Sequence, residues 1–142
     1  ILGLEEPEFK SLVETRILLE LKTVKLAALR RTQEGLEKIK SALDAYSEKV
    51  INGENATQED LLFHLAIAKA SNNSTMNAFM LTITPEIITN FDKHHVCDAG
   101  MAQRGIDEHQ HIFDAIEKQD PQLAKEMMKN HFKALYQYCY NI

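Results

Sequence analysis

The chain has 142 residues, of which 44% are hydrophobic and 26% charged, the size and composition of one globular domain. No apolar run approaches the roughly 20 residues that a membrane-spanning helix needs, and the net charge of −5 disfavours nucleic-acid binding by this piece alone. Cys97 and Cys139 lack the spacing of a disulfide framework or a cysteine zinc site, so we expect free thiols in a reducing cytoplasm. We also expect a longer parent protein, because the chain does not begin with Met.

The first half of the chain has the periodicity of helices. Pro7 is predicted to open a helix that runs from about Glu8 to Arg31, and Thr32 is predicted to cap a second helix. Apolar residues of that second helix recur at spacings of three and four, namely Leu36, Ile39, Leu43, Tyr46 and Val50. Residues 52–55 are predicted to form a loop.

The second half predicts further helices separated by short breaks. A third helix, from about Thr57 to Ser71, is apolar nearly all round and is expected inside the bundle. A fourth helix follows, and Thr84-Pro85 is predicted either to kink it or to start a fifth. After an irregular stretch at 94–100, the last two helices are predicted over Met101–Lys118 and Pro121–Tyr140. The predicted fold is therefore all-α, an antiparallel bundle of six or seven helices.

Two histidines lie on the apolar faces of the last two predicted helices. His109 shares its face with Ile112 and Ile116, and His131 shares its face with Met127 and Met128. Each histidine is 11 residues from Asp120, where the chain is expected to turn. If the two helices fold back antiparallel, both histidines lie about 16 Å from the turn, at the same height.

The third helix adds Asp60 and His64, which are one turn apart on one face. An aspartate and three histidines form a donor set suited to one divalent ion, namely Zn, Ni, Mn or Fe, with Zn or Ni favoured. A single inward histidine is more often a core residue with one hydrogen bond, so spacing alone leaves both interpretations open. His111 is predicted to face solvent, and the adjacent histidines at 94 and 95 are predicted at the surface.

Arg16 follows apolar residues on the first helix and has Glu20 one turn later. One interpretation is an i,i+4 ion pair at the edge of the core. The other is a guanidinium that points into a pocket, where it can hold a carboxylate by two parallel hydrogen bonds.

The ordered set of these segments resembles the FCD domain, the effector-binding C-terminal half of FadR-type regulators in the GntR family. The similar segments are Leu12-Val13-Glu14-Thr15-Arg16, Asp60-Leu61-Leu62-Phe63-His64 with Ser71-Asn72-Asn73, and Glu108-His109 with Asp120, Ala124, Met128 and His131. The resemblance covers nearly the whole chain, so we expect residues 1–142 to form one FCD-like effector-binding and dimerisation domain.

The resemblance implies a metal site, an effector and a partner subunit. The implied metal ligands are Asp60, His64, His109 and His131, and Arg16 is the implied contact for a small carboxylate effector. Members of the family are usually dimeric bacterial regulators, in which a winged-helix half precedes this domain and binds DNA. Asn73 matches a family position, but the sequence leaves open whether it contacts ligand or caps a helix.

Three functions remain open at this point. The leading one is a sensor domain that is not an enzyme and binds metal and a carboxylate, with no membrane association. The alternative is a metal-dependent hydrolase, since three histidines and an aspartate with an open coordination position could activate water. Against the hydrolase, no further inward carboxylate is evident as a general base. In the third, the metal is structural and the domain only dimerises.

Overall fold

The computed structural model describes residues 5–94, 99–133 and 137. Within these residues the chain forms six helices and no strand, which confirms the all-α prediction. The helices are α1 (Glu6–Arg30), α2 (Gln33–Ile51), α3 (Thr57–Ala70), α4 (Ser74–His94), α5 (Ala99–Glu117) and α6 (Pro121–His131). No helix in this described part is both long enough and apolar enough to cross a bilayer.

Side-chain caps fix where three of the helices begin. The Thr32 hydroxyl accepts a hydrogen bond from the backbone N–H of Gly35 at 2.9 Å and starts α2, as predicted. Asn73 accepts from the N–H of Met76 at 3.0 Å, so this asparagine caps α4. Asp120 accepts from the N–H of residue 123 at 3.0 Å, directly before Pro121, and thereby separates α5 from α6.

The structure bears on two further predicted boundaries. A new helix does not start at Pro85, because α4 runs through it as one element. Pro85 has no N–H to donate to the carbonyl of Leu81, so α4 lacks one helical hydrogen bond at this point. Helix α6 ends at His131 with Phe132 as its C-cap, and residues 133 and 137 are again helical, so the predicted extension to Tyr140 stays a prediction. Residues 134–136 and 138–142 lie outside the described part.

Helix α1 is the centre of the bundle, since it packs against α3, α4, α5 and α6. Its C-terminal arginines bind carbonyl groups at the ends of two neighbours. Arg30 donates to the carbonyl of Ser71 at 3.3 Å, just after α3, and Arg31 donates to that of Glu117 at 2.7 Å, at the end of α5. These bonds join α1 to the two helices that carry most of the candidate site.

Candidate metal centre

The four residues proposed as metal ligands meet inside the bundle. Oδ1 of Asp60 lies 3.2 Å from Nε2 of His64 and 3.2 Å from Nε2 of His109. Nε2 of His109 lies 3.2 Å from Nε2 of His131. All four residues offer one ligand atom each, and these atoms lie within 4.8 Å of one another. The α5–α6 hairpin therefore brings its two histidines to the same height, as the equal spacing from Asp120 predicts.

The donor atoms fit a divalent ion in spacing and in chemistry. Around an ion with bonds of about 2.1 Å, neighbouring donors are separated by roughly 3.0–3.4 Å, and the three distances of 3.2 Å fall in that range. Oδ1 of Asp60 and Nε2 of His64 are also buried without a hydrogen-bond partner. Buried polar atoms rarely remain unpaired, and a cation between these two atoms would satisfy both.

Carboxylates orient two of the three imidazole rings. Nδ1 of His64 is hydrogen-bonded to Oε1 of Glu20, and Nδ1 of His131 is hydrogen-bonded to Oε1 of Glu108 at 2.9 Å. Because an ionised carboxylate can only accept, each ring donates its Nδ1–H. The neutral ring then has its lone pair on Nε2, the atom that faces the centre of the cluster. This is the usual arrangement behind metal-ligating histidines.

His109 is held by packing instead of a carboxylate. Its Nδ1 is buried without a hydrogen-bond partner. The ring of Phe63 stacks on it with a centroid distance of 4.5 Å, and the ring of Tyr46 meets it edge-on at 4.3 Å. Tyr46 needs Gly105 beneath it, because a Cβ at that position would collide with the tyrosine hydroxyl. Aromatic rings from α3 and α2 thus fix the direction of this imidazole.

The ion pair of Arg16 and Glu20 is present, and it lies inside the core rather than at its edge. Arg16 is 1% exposed and Glu20 is fully buried. Nε of Arg16 donates to Oε2 of Glu20, the oxygen that His64 does not use. The guanidinium also lies 5.3 Å from the ring centroid of Phe132, the residue after His131. Arg16 is therefore next to the cluster and joined to it through Glu20.

The charges around Glu20 stabilise its ionised form. Burial alone would raise its pKa, but the charges of Arg16 and His64 and their hydrogen bonds outweigh burial and lower the pKa to about 2. For His64, burial alone would lower the pKa. The charge of Glu20 and the contacts with Asp60 and Glu20 dominate and raise it to about 9. In the metal-free protein His64 is consequently a cation between two carboxylates.

Asp60 and His109 differ from His64, because their surroundings lower the pKa and do not raise it. Burial works against the ionised form of Asp60, yet its contacts with His109 and His64 hold the pKa well below the usual range. Burial and the nearby charge of His131 together lower the pKa of His109 to about 4. The contact with Asp60 raises the pKa but compensates only in part. His109 is thus neutral at pH 7, and Asp60 is ionised.

The hydrogen bonds of Glu20 to His64 and of Glu108 to His131 were not predicted from the sequence. Glu108 directly precedes His109, so its position on the helix gave no reason to assign it to His131 on another helix. His111 is exposed, as predicted. The side chain of residue 94, together with the whole of residues 95, 97 and 139, lies outside the described part, so the predictions for those histidines and cysteines stay predictions.

Comparison with known proteins identifies the family. A profile of the FCD domain matches residues 11–134, and the chain belongs to the FCD domain family. The solved structure of Streptococcus agalactiae GntR superposes with a TM-score of 0.80 at 23% identity, covering 94% of this chain and 61% of that one. This likeness shows that the helical bundle is shared.

Relatives in sequence are transcriptional regulators. The HTH-type transcriptional regulator LutR of Bacillus subtilis is 29% identical over 132 residues, which cover 90% of this chain and 60% of LutR. The putative L-lactate dehydrogenase operon regulatory protein of Escherichia coli is 28% identical over 137 residues, 93% of this chain and 52% of that protein. The chain therefore spans between about half and three-fifths of these relatives. Because the family and its relatives are regulators rather than enzymes, the hydrolase alternative is not favoured.

Proposed function

We propose that this chain is the ligand-sensing domain of a bacterial GntR-type transcription regulator, and that it binds one divalent metal ion and a small carboxylate effector. The observation that carries the proposal is the convergence of four donor atoms, from three helices, within 4.8 Å in the middle of a bundle of this family. The imidazole and carboxylate donors suit Zn or Ni best, with Mn and Fe as alternatives.

A carboxylate effector would complete the coordination of the metal. Four protein ligands leave an open position on an ion that accepts five or six donors. Arg16 supplies a second positive charge beside the cluster, with Nη1 and Nη2 as further donors besides the Nε that Glu20 uses. Because Arg16 is 1% exposed, a carboxylate that reached it would lie inside the bundle. One relative is named for an L-lactate dehydrogenase operon, and L-lactate is a small hydroxycarboxylate.

The metal would act as a Lewis acid that holds the effector, and no reaction is required of the site. Effector binding would regulate DNA binding only if the two arrangements of the regulator differ in effector affinity. We assign DNA contact to a winged-helix half outside residues 1–142, since the relatives are longer than this chain. Such a regulator would act in the cytoplasm.

We also infer a homodimer. Six large apolar side chains of the described residues are more than half exposed, namely Leu18, Leu29, Ile51, Leu62, Phe79 and Leu81. Single exposed apolar residues are ordinary, but several on neighbouring helices favour association. Light scattering at tens of micromolar should give about twice the chain mass of 16.2 kDa, whereas a mass of one chain would contradict the dimer.

A thermal-shift experiment with L-lactate tests the effector proposal. An acid that binds only the folded, metal-loaded protein should stabilise it by about 2.7 kcal/mol at a hundredfold excess over Kd. The shift should vanish after chelation and should weaken in Arg16→Lys, because lysine lacks the planar fork of arginine. The proposal fails if hydroxycarboxylates, L-lactate included, shift the metal-loaded and chelated forms equally. A shift that needs the metal but ignores the Arg16→Lys change would remove Arg16 from the effector site.

A further inference from the structure

Glu20 contacts both Arg16 and the candidate metal ligand His64 through hydrogen bonds. Its two carboxylate oxygens are divided between them, since Oε2 accepts from Nε of Arg16 and Oε1 accepts from Nδ1 of His64. All three side chains are at most 2% exposed, so no water replaces either bond. Both partners must therefore be satisfied by this one side chain.

We propose that Glu20 is a positioning residue that fixes the tautomer of His64, and that Arg16 is what makes a carboxylate obligatory there. The inference rests on the proposed metal site. A neutral imidazole has one N–H, and only the form with the proton on Nδ1 offers Nε2 to a metal. Glu20 selects that form because a carboxylate has no proton to donate to Nδ1.

Glu20→Gln should therefore change the tautomer of His64. An amide has one oxygen and one NH₂, whereas arginine is always a donor. If the amide oxygen faces Arg16, the NH₂ faces His64 and requires a lone pair on Nδ1. The ring proton then moves to Nε2, the atom that would bind the metal. Glu20→Gln thus blocks His64 as a metal ligand, although the histidine side chain is still present.

Glu108 provides a matched comparison on the other side of the cluster. It accepts from Nδ1 of His131 with Oε1, and its side chain is 33% exposed. In Glu108→Gln the amide oxygen can accept the same bond, while the NH₂ turns to water. The two substitutions are chemically identical, yet only the one beside a fixed arginine should change a tautomer.

Zinc affinity and histidine NMR together test the proposal. Glu20→Gln should weaken zinc binding by about 10- to 100-fold, and Glu108→Gln should weaken it by less than about threefold. Glu14→Gln, which removes an exposed charge from the same helix α1, should leave the affinity unchanged. Nitrogen-15 spectra of the chelated proteins, recorded where the ring is neutral, should place the His64 proton on Nδ1 in the wild type and on Nε2 in Glu20→Gln.

Removal of the arginine should restore binding. In Arg16→Met/Glu20→Gln the amide can turn its oxygen to His64, so the double variant should bind zinc more tightly than Glu20→Gln alone. A merely structural role for Glu20 predicts the opposite, because the second substitution would add damage. The proposal is overturned if Glu20→Gln keeps the proton on Nδ1, or if a folded double variant binds no better than the single one. Failure of the wild type to bind zinc would refute the metal site, whereas the tautomers of the chelated proteins test the role of Glu20 separately.

Discussion

The two sides of the candidate metal centre differ in how their histidines are supported. On the α1–α3 side, His64 is backed by Glu20 and Arg16, and all three side chains are at most 2% exposed. On the α5–α6 side, the side chain of His131 is 14% exposed, and its partner Glu108 is 33% exposed. Both sides use the same carboxylate–imidazole contact, but only the first must balance its charges without water. The contacts of the buried side are thus closed to water, whereas water can reach the carboxylate on the other side.

The first prediction compares how much folding stability is lost when one charged group is removed on each side of the cluster. Arg16→Met leaves Glu20 buried with His64 as its remaining charged partner, so it should reduce the free energy of unfolding by about 3–5 kcal/mol. Glu108→Gln should cost less than about 1 kcal/mol, because water screens that pair. Urea denaturation of the chelated proteins measures both. Equal losses would show that burial does not distinguish the two sides.

The fold was largely predictable because it depends on local patterns. The apolar face of α2 and the caps at Thr32 and Asp120 follow from residues close together in the chain. The meeting of His109 and His131 was also predictable, since helix spacing sets the height of both residues and no tertiary detail is needed.

The burial of Glu20 could not be predicted in the same way. An arginine and a glutamate one turn apart usually form an exposed pair, and their burial depends on which helices cover α1. The sequence likewise left open whether Pro85 kinks α4 or starts a new helix, because the choice depends on the packing of the folded bundle.

The second prediction concerns protons displaced from the buried side. His64 has a pKa of about 9 in the metal-free protein, whereas His109 is neutral and Asp60 ionised at pH 7. Metal must displace the proton of His64, so its affinity should fall about tenfold for each pH unit from pH 9 down to about pH 7. Calorimetry in buffers of different ionisation enthalpy should detect about one released proton per ion. Affinity independent of pH over this range would show that metal binding displaces no proton from His64.

The third prediction concerns how the folding stability of the chelated protein changes with pH. The pKa of His64 is raised from 6.5 to about 9, so its contribution is complete below pH 6.5 and is lost as the pH rises through 9. The pKa of His109 is lowered to about 4, so stability is lost as the pH falls from 6.5 towards 4. Glu20 adds a loss as the pH falls from 4.5 towards 2. Urea denaturation should therefore give maximal stability near pH 6.5, and a maximum above pH 9 would contradict these shifts.

The metal content of the purified protein tests the central claim most directly. Elemental analysis of wild-type chain prepared without chelator should give about one divalent ion per chain, because four donors from three helices converge on one position. His111→Ala, which removes an exposed histidine two residues from His109, should keep that ion, whereas His64→Ala and His131→Ala should each lose most of it. A wild-type chain that carries no metal and takes up none, or a His64→Ala variant that retains the full amount, would contradict the account.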